Sequence, residues 1–199
     1  MYKYCIDKNL TNYRKCPILL SVNLTRRSLL WLNVLGGTAV LGSYAHGLAS
    51  NPLTRGEVWG GVPEALRPLY TGSMLLAAAG YFAFSFFVFR RLDPLRTRVA
   101  GRFGFGAFHA LYALILVPSA LWMPLTFAML EAPSGALWAA IRVTLALVGL
   151  GSLGLVAAVA TARPADAPVA RWVALAGALA FSFQTAVLDA CVWPAYFPV

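Results

Sequence analysis

The sequence predicts an all-α fold: a polytopic membrane protein built as a bundle of five transmembrane helices. Three observations carry that expectation. The chain of 199 residues is 60% hydrophobic and only 12% charged, whereas a soluble domain runs near half apolar and a quarter charged. Apolar stretches of about 20 residues recur, each long enough to cross a hydrocarbon core of roughly 30 Å. Basic residues gather between those stretches, as topology signals do. An outer-membrane barrel would show shorter segments of alternating polarity, and these runs do not alternate.

Hydropathy places the spans at about residues 28–48, 69–89, 103–129, 137–162 and 172–194, behind a basic tail over 1–27. The tail holds Lys3, Lys8, Arg14, Lys15, Arg26 and Arg27, and the gap after the second span holds Arg90, Arg91, Arg96, Arg98 and Arg102. Arg163 and Arg171 follow the fourth span, while the other gaps hold only Arg55 and Arg67 beside Glu57, Glu64 and Glu131. The positive-inside rule then puts the N-terminus in the cytoplasm and the C-terminus outside. The expected location is a multi-pass place in a cell or inner membrane. Sequons at Asn9 and Asn23 fall on the cytoplasmic side, so glycosylation is discounted.

All lysines lie within the first 25 residues. That segment reads as a cytoplasmic tail or surface helix, or as an upstream extension. Thr25-Arg26-Arg27 ahead of an apolar run resembles a twin-arginine export signal, but a first span with basic flanks accounts for the same residues. Gly149, Gly151 and Gly154 match GxGxxG in the middle of the fourth span. Dinucleotide binding needs a preceding strand and an exposed helix start, so close helix packing through small residues is the better account.

The net charge of +9 does not indicate nucleic acid, because no soluble basic domain exists to bind it. Cys5, Cys16 and Cys191 form no CxxC and give no metal-site or disulfide spacing. The bilayer is the expected partner, and small-residue helix faces offer contacts to other membrane proteins.

The chemistry is confined to a few polar residues. Ala178, Ser182, Thr185, Asp189 and Trp193 recur at helical spacing in the fifth span, which gives them one shared face. A membrane-depth carboxylate is costly and faces protein or a cavity. Arg142 and His46 reach a similar outer depth, so a pair of Asp189 with Arg142, or with His46, is expected to offset that cost. The longest outer connection, holding Glu57 and Trp59 and a short helix started by Pro63, is expected to roof that layer as an amphipathic lid. Beneath it lie Ser119, Trp122 and Thr126, with Pro118 and Pro124 bending the third span. The candidate ligand-binding layer is therefore Asp189, Arg142, His46, Trp122, Trp193, Glu57 and Trp59. The tryptophans also read as interface anchors.

No cofactor is predicted. His46 and His109 stand at depths differing by roughly 15–20 Å, so they cannot share one haem; a tetrapyrrole on His109 or His46 alone stays open. Helix count and outer tryptophans resemble the tryptophan-rich sensory and translocator proteins and the sterol-isomerase group. The Trp-Pro-rich opening of the first does not occur here, the second span holds neither the histidine nor the acidic residues that the second group needs on its early spans, and neither family is assigned. Two functional readings come first: an accessory subunit of a membrane complex, or a binder of a lipophilic small molecule. A membrane-embedded enzyme acting on lipid or isoprenoid through Asp189, His46 and Glu57 is the alternative, and a small transporter ranks behind it.

Overall fold

The computed structural model describes residues 25–163 and 167–197. Residues 1–24 of the tail expected over 1–27, with Cys5, Cys16, Asn9 and Asn23, lie outside these residues. Among the described residues, five helices are long and apolar enough to cross a membrane: Arg26–Ser50, Glu64–Arg91, Gly106–Glu131, Gly135–Thr161 and Pro168–Tyr196. Each overlaps an expected span and exceeds or trims it by a few residues.

Local chemistry sets the ends. In α1 (Arg26–Ser50) the Thr25 side chain accepts from the Ser28 backbone N–H, and the Ser28 hydroxyl accepts from the Thr25 N–H at 2.9 Å. This reciprocal cap satisfies two donors that a helix start leaves open. It also makes Arg26 and Arg27 the first residues of the helix. A proline opens α2 (Arg67–Arg91) and α5 (Pro168–Ser182) in the first turn, where a missing N–H costs nothing. Ser134 caps α4 (Gly135–Thr161) through the Leu137 N–H. Pro118 and Pro124 lie inside α3 (Gly106–Glu131).

The fifth span is not a uniform α-helix. After Ser182 it runs as a π-helix over Phe183–Val192, then closes with α6 (Trp193–Tyr196). The shared face drawn for this span assumed 3.6 residues per turn throughout. Hydrogen bonding from i to i+5 instead brings residues five apart together. Two side-chain bonds follow that register: Gln184 Nε2 donates to Asp189 Oδ1 at 2.7 Å, and Cys191 Sγ donates to the Ala186 carbonyl at 3.2 Å. In an α-helix such pairs would point about 140° apart.

The helices pack as an incomplete ring. Its sequence of interfaces is α1 on α3, α3 on α4, α4 on the fifth span, and the fifth span on α2. Between α1 and α2 there is no comparable interface. The closed side is tight because glycines allow close approach. A Cβ on Gly80 would stand 2.3 Å from the Gly177 carbonyl oxygen, and one on Gly149 would stand 3.1 Å from the Ala186 Cα. Added Cβ atoms on Gly151 and Gly154 would meet Ile115 and Leu111. The GxGxxG glycines thus face α3 and the fifth span, as small packing residues do.

One end of the bundle carries Arg26, Arg90, Arg91, Arg96, Arg98, Arg102, Arg163 and Arg171. There Arg98 and Arg163 exchange backbone hydrogen bonds of 2.9 and 2.8 Å, and Arg26 donates to the Leu92 carbonyl. The opposite end is roofed by residues 51–66, which contain short 3-10 turns at Glu57–Trp59 and Glu64–Leu66. These turns replace the expected amphipathic helix. Gly61 N–H donates to the Tyr196 carbonyl at 2.7 Å, and the Trp193 indole donates to the Val58 carbonyl at 3.0 Å. Val62, Tyr70, Ile141, Leu188, Trp193 and Phe197 form the buried cluster beneath.

Candidate functional site: a cavity between the first two spans

Where α1 and α2 fail to meet, a cavity of about 780 Å³ runs into the bundle. Its α1 wall extends from Asn33 to Tyr44, which is roughly 16 Å of helix. The opposite wall is α2 from Met74 to Phe89, and the back is built by α3, α4 and the fifth span. The mouth faces sideways, toward lipid if the helices cross a bilayer. Most of the lining is apolar, with Tyr44, Tyr81, Phe82, Trp122 and Phe181 as its large rings.

The polar groups fall into two sets. Toward the arginine-rich end, Tyr81 donates to Asn33 Oδ1 across the gap, and Asn33 Nδ2 donates to the Leu29 carbonyl. Ser85 and Tyr112 bond at 2.8 Å. These groups satisfy one another. Toward the roofed end lie Asp189, Gln184, Thr185, Ser119, Trp122 and Tyr44. Gln184 is buried and holds Asp189 with its amide N–H, while its own Oε1 is buried without a partner among the described residues. The Trp122 indole nitrogen is buried and unpartnered in the same way. Ser119 and Thr185 direct their protons to the Ile115 and Phe181 carbonyls at 2.7 and 2.9 Å.

The residues expected in one outer layer are only partly together. Asp189 and Trp122 line the cavity. Trp193 is 4% exposed and packs edge-on to Trp122 at 5.6 Å, so it is a core residue of the roof and not an interface anchor. Trp59 stands edge-on to Tyr70 in the roof, and Glu57 is exposed. The expected Asp189–Arg142 pair does not form. Arg142 is exposed on α4 with its guanidinium 6.0 Å from the Trp138 ring. The alternative His46 contact does not form either, because His46 is exposed and bonds Ser50 at 3.3 Å. Among the described residues the ion pair is Arg67–Glu64 at 3.8 Å, and Asp189 joins none.

The histidines stand at opposite ends. His109 Nε2 meets the Ser28 hydroxyl at 2.9 Å. Ser28 and His46 are then 18 residues apart on α1, about 27 Å at 1.5 Å per residue. That separation is larger than the depth estimate and rules out one haem between them within a chain. Neither histidine lines the cavity. No cluster of three metal-ligating side chains occurs among the described residues.

Gln184, Tyr81, Asn33, Tyr44 and Ser85 are among the cavity residues that sequence reading passed over. Gln184 lies off the α-helical face of Asp189, and only the π register joins them. No family model, curated protein or solved structure matches the chain.

Proposed function

We propose that this chain is a membrane protein that binds a lipophilic small molecule, admitted sideways from the bilayer between α1 and α2. The carrying observation is an elongated, aromatic-lined cavity whose roofed end holds two buried polar atoms without partners among the described residues, Gln184 Oε1 and the Trp122 indole N–H, beside an Asp189 carboxyl that takes the Gln184 N–H and joins no ion pair among those residues. Concave apolar lining with a few placed polar groups is the usual form of a small-molecule site. Buried polar groups normally have partners, so a ligand carrying matching atoms is the simplest resolution.

The enzyme alternative draws less support, since His46 and Glu57 stand away from Asp189 at exposed positions. The accessory-subunit reading rested on small-residue faces; the Gly80–Gly177, Gly149–Ala186 and Gly151–Ile115 approaches use part of them inside the bundle, while Gly37, Gly42 and Gly72 meet nothing within 4 Å. Positive-inside charge would place the arginine-rich end in the cytoplasm and Asp189 toward the outer leaflet.

The test is native mass spectrometry of the chain purified from membranes in mild detergent. Wild type is expected to carry one non-covalent adduct, and Ala78→Phe, which fills the cavity wall at its mouth, is expected to lose it. Bare protein for both, or the same adduct on both, would count against the reading.

A further inference from the structure

The polar end of the cavity has a chemical bias that names its ligand more closely. Four of its groups present acceptors. Asp189 offers carboxylate oxygens, one of which already takes the Gln184 N–H at 2.7 Å. Gln184 offers an unpartnered Oε1 on a side chain only 4% exposed. The hydroxyl protons of Ser119 and Thr185 are engaged by carbonyls of their own helices, which leaves their oxygens to accept. On the donor side stands the Trp122 indole N–H, with the Tyr44 hydroxyl. Acceptors therefore outnumber donors, and one acceptor is ionisable without a countercharge. The Tyr44 and Trp122 rings, 5.6 Å apart, flank the same end.

Resting on the binder reading above, we infer that the ligand is a lipophilic primary or secondary amine, whose ammonium group sits between Asp189 and Gln184 Oε1. An ammonium with two or three N–H donors satisfies the carboxylate and the amide oxygen together. Its charge offsets the cost of a carboxylate in apolar surroundings. Aromatic faces add attraction to a desolvated cation. An alcohol can accept from the Trp122 indole N–H, which an ammonium cannot, but it brings one proton and no charge, so it leaves an acceptor and the carboxylate charge unmatched, and the charge decides the preference. The apolar part of the molecule then lies along the α1–α2 gap toward the Asn33–Tyr81 bridge, whose polar atoms are already paired.

The experiment titrates the purified chain with hexadecylamine and with hexadecanol, counting bound molecules by native mass spectrometry. Wild type is expected to bind the amine at least about tenfold more tightly, the step that 1.4 kcal/mol represents. Asp189→Asn is expected to remove that preference. If Asp189→Asn melts too early to titrate, Gln184→Leu serves: it removes one acceptor and should weaken the amine several-fold more than the alcohol. Equal wild-type affinity for the two ligands, or a preference that survives both substitutions, overturns the amine assignment and leaves the binder reading standing. Failure of both ligands to saturate at one per chain, with Ala78→Phe indistinguishable from wild type, removes the binder reading itself.

Discussion

Replacing Gly80 by alanine tests the packing that holds the cavity's α2 wall. The added Cβ would lie 2.3 Å from the Gly177 carbonyl oxygen and 2.9 Å from its carbon. Both are backbone atoms of α5, so no side chain can rotate away. A carbon–oxygen contact is comfortable at about 3.3–3.6 Å, so the two helices must part by about 1 Å. A gap of 0.5–1 Å forfeits roughly a quarter to a half of each dispersion contact along the seam. Overpacking of a tight core costs about 1–3 kcal/mol, and a backbone-to-backbone clash belongs in the upper half of that range. Gly72→Ala on the same helix is the control, because its Cβ would meet nothing within 4 Å. That control should be neutral, or stabilising by up to about 1 kcal/mol through helix propensity. The assay is thermal or denaturant unfolding in one detergent, followed by tryptophan emission. Gly177→Ala should resemble Gly80→Ala, its Cβ meeting the Gly80 oxygen at 2.8 Å. The double variant should cost less than the sum, since helices already parted admit the second methyl. Equal stability of Gly80→Ala and Gly72→Ala would refute the close α2–α5 crossing.

Other outcomes follow from the same geometry. Gly60→Ala should cost about 1–2 kcal/mol, because Gly60 has φ +58° and its Cβ would press Phe197 at 3.0–3.1 Å; unfolding measurements check it, and a neutral result would deny that the roof is seated on the C-terminal end. Asn33→Ala removes the acceptor that joins α1 to α2 through Tyr81 and should cost about 1 kcal/mol, with faster amide exchange concentrated in α1; unchanged exchange would mean the bridge does not hold the gap. Gln184→Leu deprives Asp189 of its amide donor and should destabilise the chain by about 1–3 kcal/mol, whereas Arg142→Gln should stay within about 0.5 kcal/mol as exposed substitutions do. A larger loss at Arg142 than at Gln184 would restore the ion-pair expectation. Reporter fusions in the Arg96–Arg102 loop and after Val199 should report opposite sides of the membrane, and one side for both would contradict the orientation.

Much of the fold was legible because helix existence depends on local composition. The five apolar runs and the basic residues between them act within a few residues of chain, so they were read directly; the Thr25–Ser28 cap and the Pro168 helix start, which set the ends, were not. The cavity was less legible because it depends on which helices are neighbours. Periodicity correctly turned Ser182 and Thr185 inward, where both are buried. It said nothing of Arg142, which lies on the exposed face of α4. Matching depth along two helices does not supply matching direction, and that is why the Asp189–Arg142 expectation failed. The π segment has no strong composition signal, although Pro194, which cannot donate an N–H, stands at its end. Because Gln184 meets Asp189 only in that register, a reading at 3.6 residues per turn separated the two residues that belong together. Asn33 and Tyr81 were missed for a related reason: their bond spans helices that scarcely touch elsewhere.

The most direct measurement is a density map of the chain in a lipid nanodisc, prepared from native membranes without stripping. The account predicts an elongated density entering between α1 and α2, with its polar end at Asp189 and Gln184. An α1 helix packed flush against α2, with Asp189 turned to lipid and no space between the helices, would contradict it.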